Sequence, residues 1–404
     1  MKSLSSIFFL VFSLFLISSC SKQPDVFLEL NIPQDISFIG HKGSGTINEN
    51  GNIGLIENSW EAIAHAIKSI DGSEMDLQLS RDSTLWIFHD DSLYNCNGSL
   101  INFSLFNDDN LSKISECNYN STLIKLADFL RKARQEEWKE KIICFDMKVF
   151  YNLETIHLFE DYTDFSIFVR DKLNRLIQES KIETKIIFEV FNNQQFKVFD
   201  SVFKGRTYLV DPFPTEESIL ENNNEQINLS LPIHNLPKNL NPNEVKIQDL
   251  WTINSANEFF KALVFSPEIM QSDNIPMMQF FKTIQSGQKA LRLSHKNESV
   301  KTNDKEFHSL LTLNLPLEKH QLIEFKTLKG DYQKEVLLVF KAVDENGNSV
   351  HWQGIDLSEK QNSYFFINPE FLAFKNAKTV HINIWNKSRS KLNNEYSFSQ
   401  FELE

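Results

Sequence analysis

Seven side chains in the first 150 residues are of types that move protons or balance charge: His41, Lys42, Glu74, Asp76, His89, Asp146 and Lys148. Their spacing makes them candidates for one site. Glu74 and Asp76 stand two apart in an extended run, with Met75, Leu77 and Leu79 between and beyond them. Successive strand residues face opposite ways, so both carboxylates point to one side and the apolar residues to the other. Asp146 and Lys148 repeat this arrangement at the end of Ile142–Lys148. His41 directly follows the apolar run Ile36–Gly40, and His89 ends Leu85–His89. Two imidazoles, three carboxylates and an ammonium therefore stand at strand ends, where imidazole can exchange protons near neutral pH.

The elements that must position them alternate in type. Strands are expected at Ile36–Gly40, Glu74–Ser80, Leu85–His89, Ile142–Lys148, Lys185–Phe191, Arg206–Val210 and Val245–Asn254, and at Leu263–Phe265 or just beyond. Helices are expected at Leu123–Arg134 and Phe165–Ser180. Another carries Trp60, Ile63, Ala64 and Ile67 on one face, with Asn58 and Glu61 spaced as a capping box. Strands alternating with helices over 35–284 predict a (β/α)8 TIM-type barrel, in which C-terminal strand ends build the active site. From 285 to 404 the helical period vanishes. Eight short apolar runs follow, from Ala290–Ser294 to Tyr396–Leu403, with an Asn346-Gly347 turn among them. They predict an all-β antiparallel sandwich.

The order of these residues resembles the glycerophosphodiester phosphodiesterase family. Phe38-Ile39-Gly40-His41-Lys42-Gly43 is similar to its His-Arg-Gly block, and Glu57-Asn58 to its Glu-Asn. Glu74-Met75-Asp76 matches its Glu-x-Asp strand and His89-Asp90 its His-Asp. Asp146-Met147-Lys148 matches its Glu-x-Lys, Trp251-Thr252 its late Trp-Thr, and Ser272-Asp273 its closing turn. The resemblance spans Asp35–Met278 and implies a phosphodiesterase with one divalent cation, Ca²⁺ or Mg²⁺, on Glu74, Asp76 and Asp146. His41 and His89 would be general acid and base, and Lys42 and Lys148 would steady the phosphate. Glu57, Asn58 and Trp251 would line the site. Such a reaction begins with attack by the substrate's own glycerol hydroxyl, giving a cyclic phosphate that water opens. A lyase acting on intact lipids and a non-catalytic ligand-binding lipoprotein are the alternatives. Two departures stand out: Lys42 replaces a forked guanidinium with a point charge, and Asp146 is one methylene shorter than the family's Glu.

Composition sets the setting. The 404 residues carry a net charge of −13, with no compact basic run to counter it, which excludes a nucleic-acid partner. Met1–Cys20 reads as a signal peptide over 1–19, too short to span a bilayer, ending in the lipobox-like Ile17-Ser18-Ser19-Cys20. Lipidation at Cys20 and a tether over 20–34 would place the protein in a bacterial cell envelope, on the periplasmic or the surface face. Cys96 and Cys117 share a loop-rich stretch and can pair, whereas Cys144 sits in an apolar run as a buried thiol. In the sandwich, Trp352, Tyr364, Phe365, Phe366 and Trp385 are candidates for a glycan-contacting platform.

Overall fold

The computed structural model describes residues 26–45, 54–117, 123–136, 138–148, 159, 161–302, 306–315, 317–329, 336–357, 362–368, 376–387 and 392–404. Cys20 and the signal segment lie outside the described residues. Among the described residues, no helix is long and apolar enough to cross a membrane.

Eight parallel strands close into a barrel: β1 (Ser37–Gly40), β2 (Gly72–Leu79), β3 (Ile142–Asp146), β4 (Lys185–Val190), β5 (Thr207–Val210), β6 (Leu229–Pro232), β7 (Asp249–Trp251) and β8 (Ile269–Ser272). Closure is made by β1, which pairs with β8 on one side and β2 on the other. Outward residues such as Phe38, Met75, Leu77, Phe145, Phe188 and Leu250 are buried under the surrounding helices. Inward, Ile39, Ile142, Cys144, Ile187, Tyr208 and Ile269 form a separate apolar plug. Alternation along each strand then lifts the next inward residues toward the mouth.

Several sequence expectations change in detail. β6 was not expected: Leu-Ser-Leu-Pro is four residues long, lies near an Asn-rich stretch and ends in proline, so its local pattern resembles a loop. Leu263–Phe265 is helical, and the strand lies just beyond it at β8. The helix at Trp60–Ser69 is capped by Ser59, whose side chain accepts from the Ala62 amide, rather than by Asn58. Leu85–Ile87 is no barrel strand; it returns antiparallel along the upper part of β2.

That return belongs to a small layer above the barrel, with a hairpin at Ser92–Tyr94 and Leu100–Asn102 and a helix at Asp108–Cys117. Trp86, Leu93, Phe103, Phe106, Leu111, Ile114 and Leu123 form its own core. A Cys96–Cys117 disulfide ties it together, and Cys144 is a buried free thiol.

All eight expected C-terminal strands form. One sheet of five and one of four stack as a sandwich over a core that includes Leu338, Phe340, Ile382 and Tyr396. The fifth strand of the larger sheet is Phe27–Leu28, from the stretch read as a tether; it pairs antiparallel with Ala290–Leu291. Sandwich and barrel abut: Phe260 packs on Tyr364 with ring centroids 3.8 Å apart, and Phe280 on Phe366 at 5.5 Å. The Tyr364 amide donates to Asn257 Oδ1 at 2.7 Å. Tyr364 and Phe366 therefore face the barrel, and Phe365 stacks on Phe340 inside the sandwich. None of the three belongs to an open platform. Trp352 is exposed and meets Trp385 edge to face.

Candidate active site

The strand ends converge on a cavity of about 300 Å³ at the barrel mouth, lined by His41, Lys42, Glu74, His89, Asp146, Lys148 and Trp251 among others. Asp76 lies at its margin, 1% exposed. Glu57 is half-buried one residue before Asn58 and is not part of the wall.

β1 ends in a turn that presents His41 and Lys42. A Cβ on Gly40 would lie 1.9 Å from the Gly43 carbonyl oxygen, and Gly43 adopts a φ of 84°, so this turn is closed to larger residues. Lys42 takes a φ of 51°, uncommon for a side-chain-bearing residue, and its amide thereby donates to Glu74 Oε2 at 2.6 Å. His65, on the helix Trp60–Ser69, holds the same loop through a 2.8 Å contact between Nδ1 and Ser44 Oγ.

Each histidine has a carboxylate partner. His41 Nδ1 lies 2.8 Å from Asp273 Oδ1, and Asp273 Oδ2 accepts from Asn254 Nδ2 at 2.6 Å. A carboxylate only accepts, so it places the His41 proton on Nδ1 and leaves Nε2 free for chemistry. His89 Nδ1 meets Asp90 Oδ1 at 2.6 Å, a bond that leads in holding the Asp90 carboxyl below its usual range. His89 reaches the mouth because Leu85–Ile87 runs back down β2. The Phe88 amide donates to the Asp76 carbonyl at 3.0 Å, so the imidazole lands at the level of Asp76.

Glu74, Asp76 and Asp146 bring carboxylate oxygens within 4.8 Å of one another. Asp76 and Asp146 are register partners on β2 and β3. Asn58 clamps Asp76: its Nδ2 donates to Oδ2 at 2.7 Å, and its Oδ1 accepts from the Asp76 amide at 3.0 Å. That explains Asn58 better than a helix cap does. Lys148 Nζ donates to Asp146 Oδ2 at 2.6 Å and lies 3.6 Å from Asp76 Oδ1.

The electrostatics are those of crowded, buried acids. Burial, then Asp76 and Asp146, push Glu74 well above the ordinary carboxylate range. Burial pushes Asp146 up to about 7 against the pull of Lys148. Burial also works to raise Asp76, but Lys148, His89, Lys42 and the Asn58 hydrogen bond outweigh it and hold the carboxyl low. For Lys148, desolvation is outweighed by Asp146 and Asp76, which keep it protonated. Glu74 Oε1 and Asp146 Oδ1 are buried without a hydrogen-bond partner among the described residues. Unpartnered buried carboxylate oxygens are costly. Three hard oxygen donors at this spacing suit a divalent cation, which would answer both orphans.

The sequence reading missed Asp273 and Asn254 as an orienting pair, and Glu189 and Gln271 as cavity-lining residues. Ser272-Asp273 was visible as a turn, but its pairing with His41 needs the closure of β8 on β1.

No curated protein matches the chain. Among solved structures it is similar to a glycerophosphodiester phosphodiesterase from Parabacteroides distasonis (15% identity, TM-score 0.47, covering 62% of this chain and 98% of that one). It is also similar to one from Thermotoga maritima (18% identity, TM-score 0.43, covering 62% and 98%). A third is an Oleispira antarctica phosphodiesterase in complex with the product sn-glycerol-3-phosphate (14% identity, TM-score 0.46, covering 63% and 98%). Residues 41–210, from the first histidine to the end of β5, match the model of the Glycerophosphoryl diester phosphodiesterase family. That stretch of the barrel is therefore similar to a family of phosphoric diester hydrolases.

Proposed function

We propose that the protein hydrolyses glycerophosphodiesters to glycerol phosphate and an alcohol, with His41 and His89 exchanging the protons. One observation carries this: two carboxylate-oriented imidazoles, an acidic triad and two ammonium groups meet in one cavity. Lys42 and Lys148 neutralise the non-bridging phosphate oxygens. One imidazole takes the proton of the attacking substrate hydroxyl as its O–P bond forms. The other gives a proton to the departing alkoxide as the old P–O bond breaks. The roles reverse when water opens the cyclic phosphate. Glu74, Asp76 and Asp146 would hold one Ca²⁺ or Mg²⁺, which when bound supplies Lewis-acid stabilisation of the phosphoryl charge.

The test is release of alcohol from glycerophosphocholine, glycerophosphoethanolamine and glycerophosphoglycerol by the purified protein, with Ca²⁺ or Mg²⁺ and then with EDTA. Turnover lost in EDTA and in His41→Ala is the expected result. Absence of turnover from folded, cation-loaded protein would refute it. Cyclic phosphate as the sole end product would mark a lyase instead.

The proposal extends to location. The lipobox-like Ile17-Ser18-Ser19-Cys20 supports a lipid anchor in a bacterial envelope. Exposed Trp352, beside Trp385, supports glycan contact by the outer sheet of the sandwich. Labelled-lipid incorporation that survives Cys20→Ala would remove the first, and glycan binding unchanged by Trp352→Ala the second.

A further inference from the structure

A second cavity, of about 590 Å³, lies where the helix Ala256–Phe265 meets the sandwich, and it shares no lining residue with the cavity at the barrel mouth. Its size falls within the roughly 300–1,000 Å³ of small-ligand sites. The helix contributes Asn257, Glu258, Phe260 and Lys261, a set spaced to share one flank. The sandwich contributes Ile355 from the strand Ser349–Asp356, and Asn362, Ser363 and Tyr364 from the strand Asn362–Ile367. Among the described residues these two are edge strands, one of each sheet. The sandwich is therefore open on this side, and the helix supplies the facing wall.

Ser363 makes this opening more than a packing gap. Residues 363, 365 and 367 face into the sandwich, where Phe365 and Ile367 join its core. The remaining inward position carries a hydroxyl instead of an apolar side chain. Ser363 is 1% exposed, and its Oγ has no hydrogen-bond partner among the described residues. A buried hydroxyl without a partner is costly, and this one lines the cavity, so a ligand in the cavity can answer it.

The neighbouring polar groups set the chemistry of that ligand. Lys261 Nζ donates to the Ile233 carbonyl at 2.8 Å, which leaves two of its three N–H donors. Glu258 Oε2 accepts from the Asn254 and Ser255 amides, both at 2.9 Å, which leaves Oε1 as an acceptor. One ammonium and one carboxylate cancel, so the wall holds no net charge with which to select an ion. Asn362 adds an amide that both donates and accepts. Phe260 and Tyr364, with ring centroids 3.8 Å apart, add apolar surface. Interspersed donors and acceptors on a neutral wall beside aromatic rings suit a molecule whose hydroxyls do both and whose C–H face is apolar. An added peptide strand suits the site less well. The Tyr364 amide, on the open edge, is already held by Asn257 Oδ1 at 2.7 Å.

We propose that this cavity between helix and sandwich binds a neutral mono- or disaccharide. Ser363, Asn362, Lys261 and Glu258 bond the sugar hydroxyls, while Phe260, Tyr364 and Ile355 meet its C–H groups. The site is separate from exposed Trp352, and it does not depend on the phosphodiesterase reading.

Calorimetric titration of the purified protein with glucose, galactose, N-acetylglucosamine, maltose and cellobiose tests this. Saturable binding of at least one sugar is expected, weakened about tenfold in Ser363→Ala and in Asn362→Ala and unchanged in Trp352→Ala. Ser363→Ala removes a hydroxyl that has no partner within the protein, so its Tm should not fall and weaker binding would not reflect unfolding. Asn362 is exposed, and Asn362→Ala gives a second variant that leaves the core untouched. His41→Ala should bind the sugar as the native protein does, which keeps this inference apart from the fate of the hydrolase reading. No binding of any of these sugars to folded protein would overturn the inference. So would binding that Trp352→Ala abolishes and Ser363→Ala leaves intact, or tighter binding of glucuronate than of every neutral sugar.

Discussion

Asp146 shows how one side chain sets conditions for the whole site. Its carboxyl is pushed from an ordinary 3.8 to about 7, with burial as the leading cause and Lys148 opposing. In cation-free protein the native state holds a proton that the unfolded chain has already released. Stability therefore falls as pH rises from about 4 to about 7. Glu74 shifts the same way, whereas Asp76, held low, contributes in the opposite sense. A divalent cation needs the ionised carboxylates, so its binding tightens through the same window. Thermal denaturation in EDTA and in Ca²⁺ at pH 5 and pH 8 should show a larger calcium-induced gain in Tm at pH 8. An equal gain at both would contradict the burial of these acids. Removing a donor, as in Glu74→Gln, should weaken Ca²⁺ binding by about 100-fold or more. At the imidazoles, His41→Ala or His89→Ala should cost on the order of a hundred- to ten-thousand-fold in kcat. Asp273→Asn leaves the ring but removes the carboxylate charge and one of the two acceptor oxygens shared by His41 and Asn254, so kcat should drop by about tenfold or more with Tm little changed.

At the scale of elements, the strand that follows β2 is decisive. A parallel barrel strand would also have carried His89 to the mouth, but Leu85–Ile87 instead pairs antiparallel with the upper part of β2. Running antiparallel, it delivers His89 back to the carboxylates. The small layer above carries that strand through Trp86, which packs with Phe103 and Leu111 and donates from Nε1 to Asp108 Oδ1 at 3.2 Å. So few buried residues make a marginal core, and the disulfide closing 21 residues adds to it. Replacing Cys96 by Ser should destabilise this layer by about 3 kcal/mol. Limited proteolysis between the two cysteines would then speed up while the barrel stays intact, and turnover should fall because His89 loses its support.

For the whole molecule, the sandwich acts as a brace on one flank of the barrel. The helix at Ala256–Phe265 presses Phe260 onto Tyr364, and Leu322 and Phe401 of the larger sheet join the barrel's main apolar cluster. The two units share buried surface and should unfold together. Tyr364→Ala removes the ring from that contact and should cost about 2 kcal/mol. A single calorimetric transition that splits into two in this variant would measure the coupling, and an unchanged single transition would contradict it.

What the sequence by itself determined is whatever is written in short-range order. The inward acids Glu74, Asp76 and Asp146, with Met75 and Leu77 outward, follow from the two-residue period of a strand. So do the sandwich strands, such as Thr379–Asn386 with every second residue buried. Cys144 among apolar neighbours reads directly as a buried thiol. The tertiary structure alone decided contacts between residues far apart in the chain. His41 meets Asp273 across 232 positions, and Gln271 bridges Glu189 and Asp249 from a third strand, only because the barrel closes β8 onto β1. Asn58 has the same type and spacing as a helix cap, and only its positive φ turns its amide onto Asp76. The Leu85–Ile87 run has the composition of any strand, and its direction was fixed by pairing, which local periodicity does not encode.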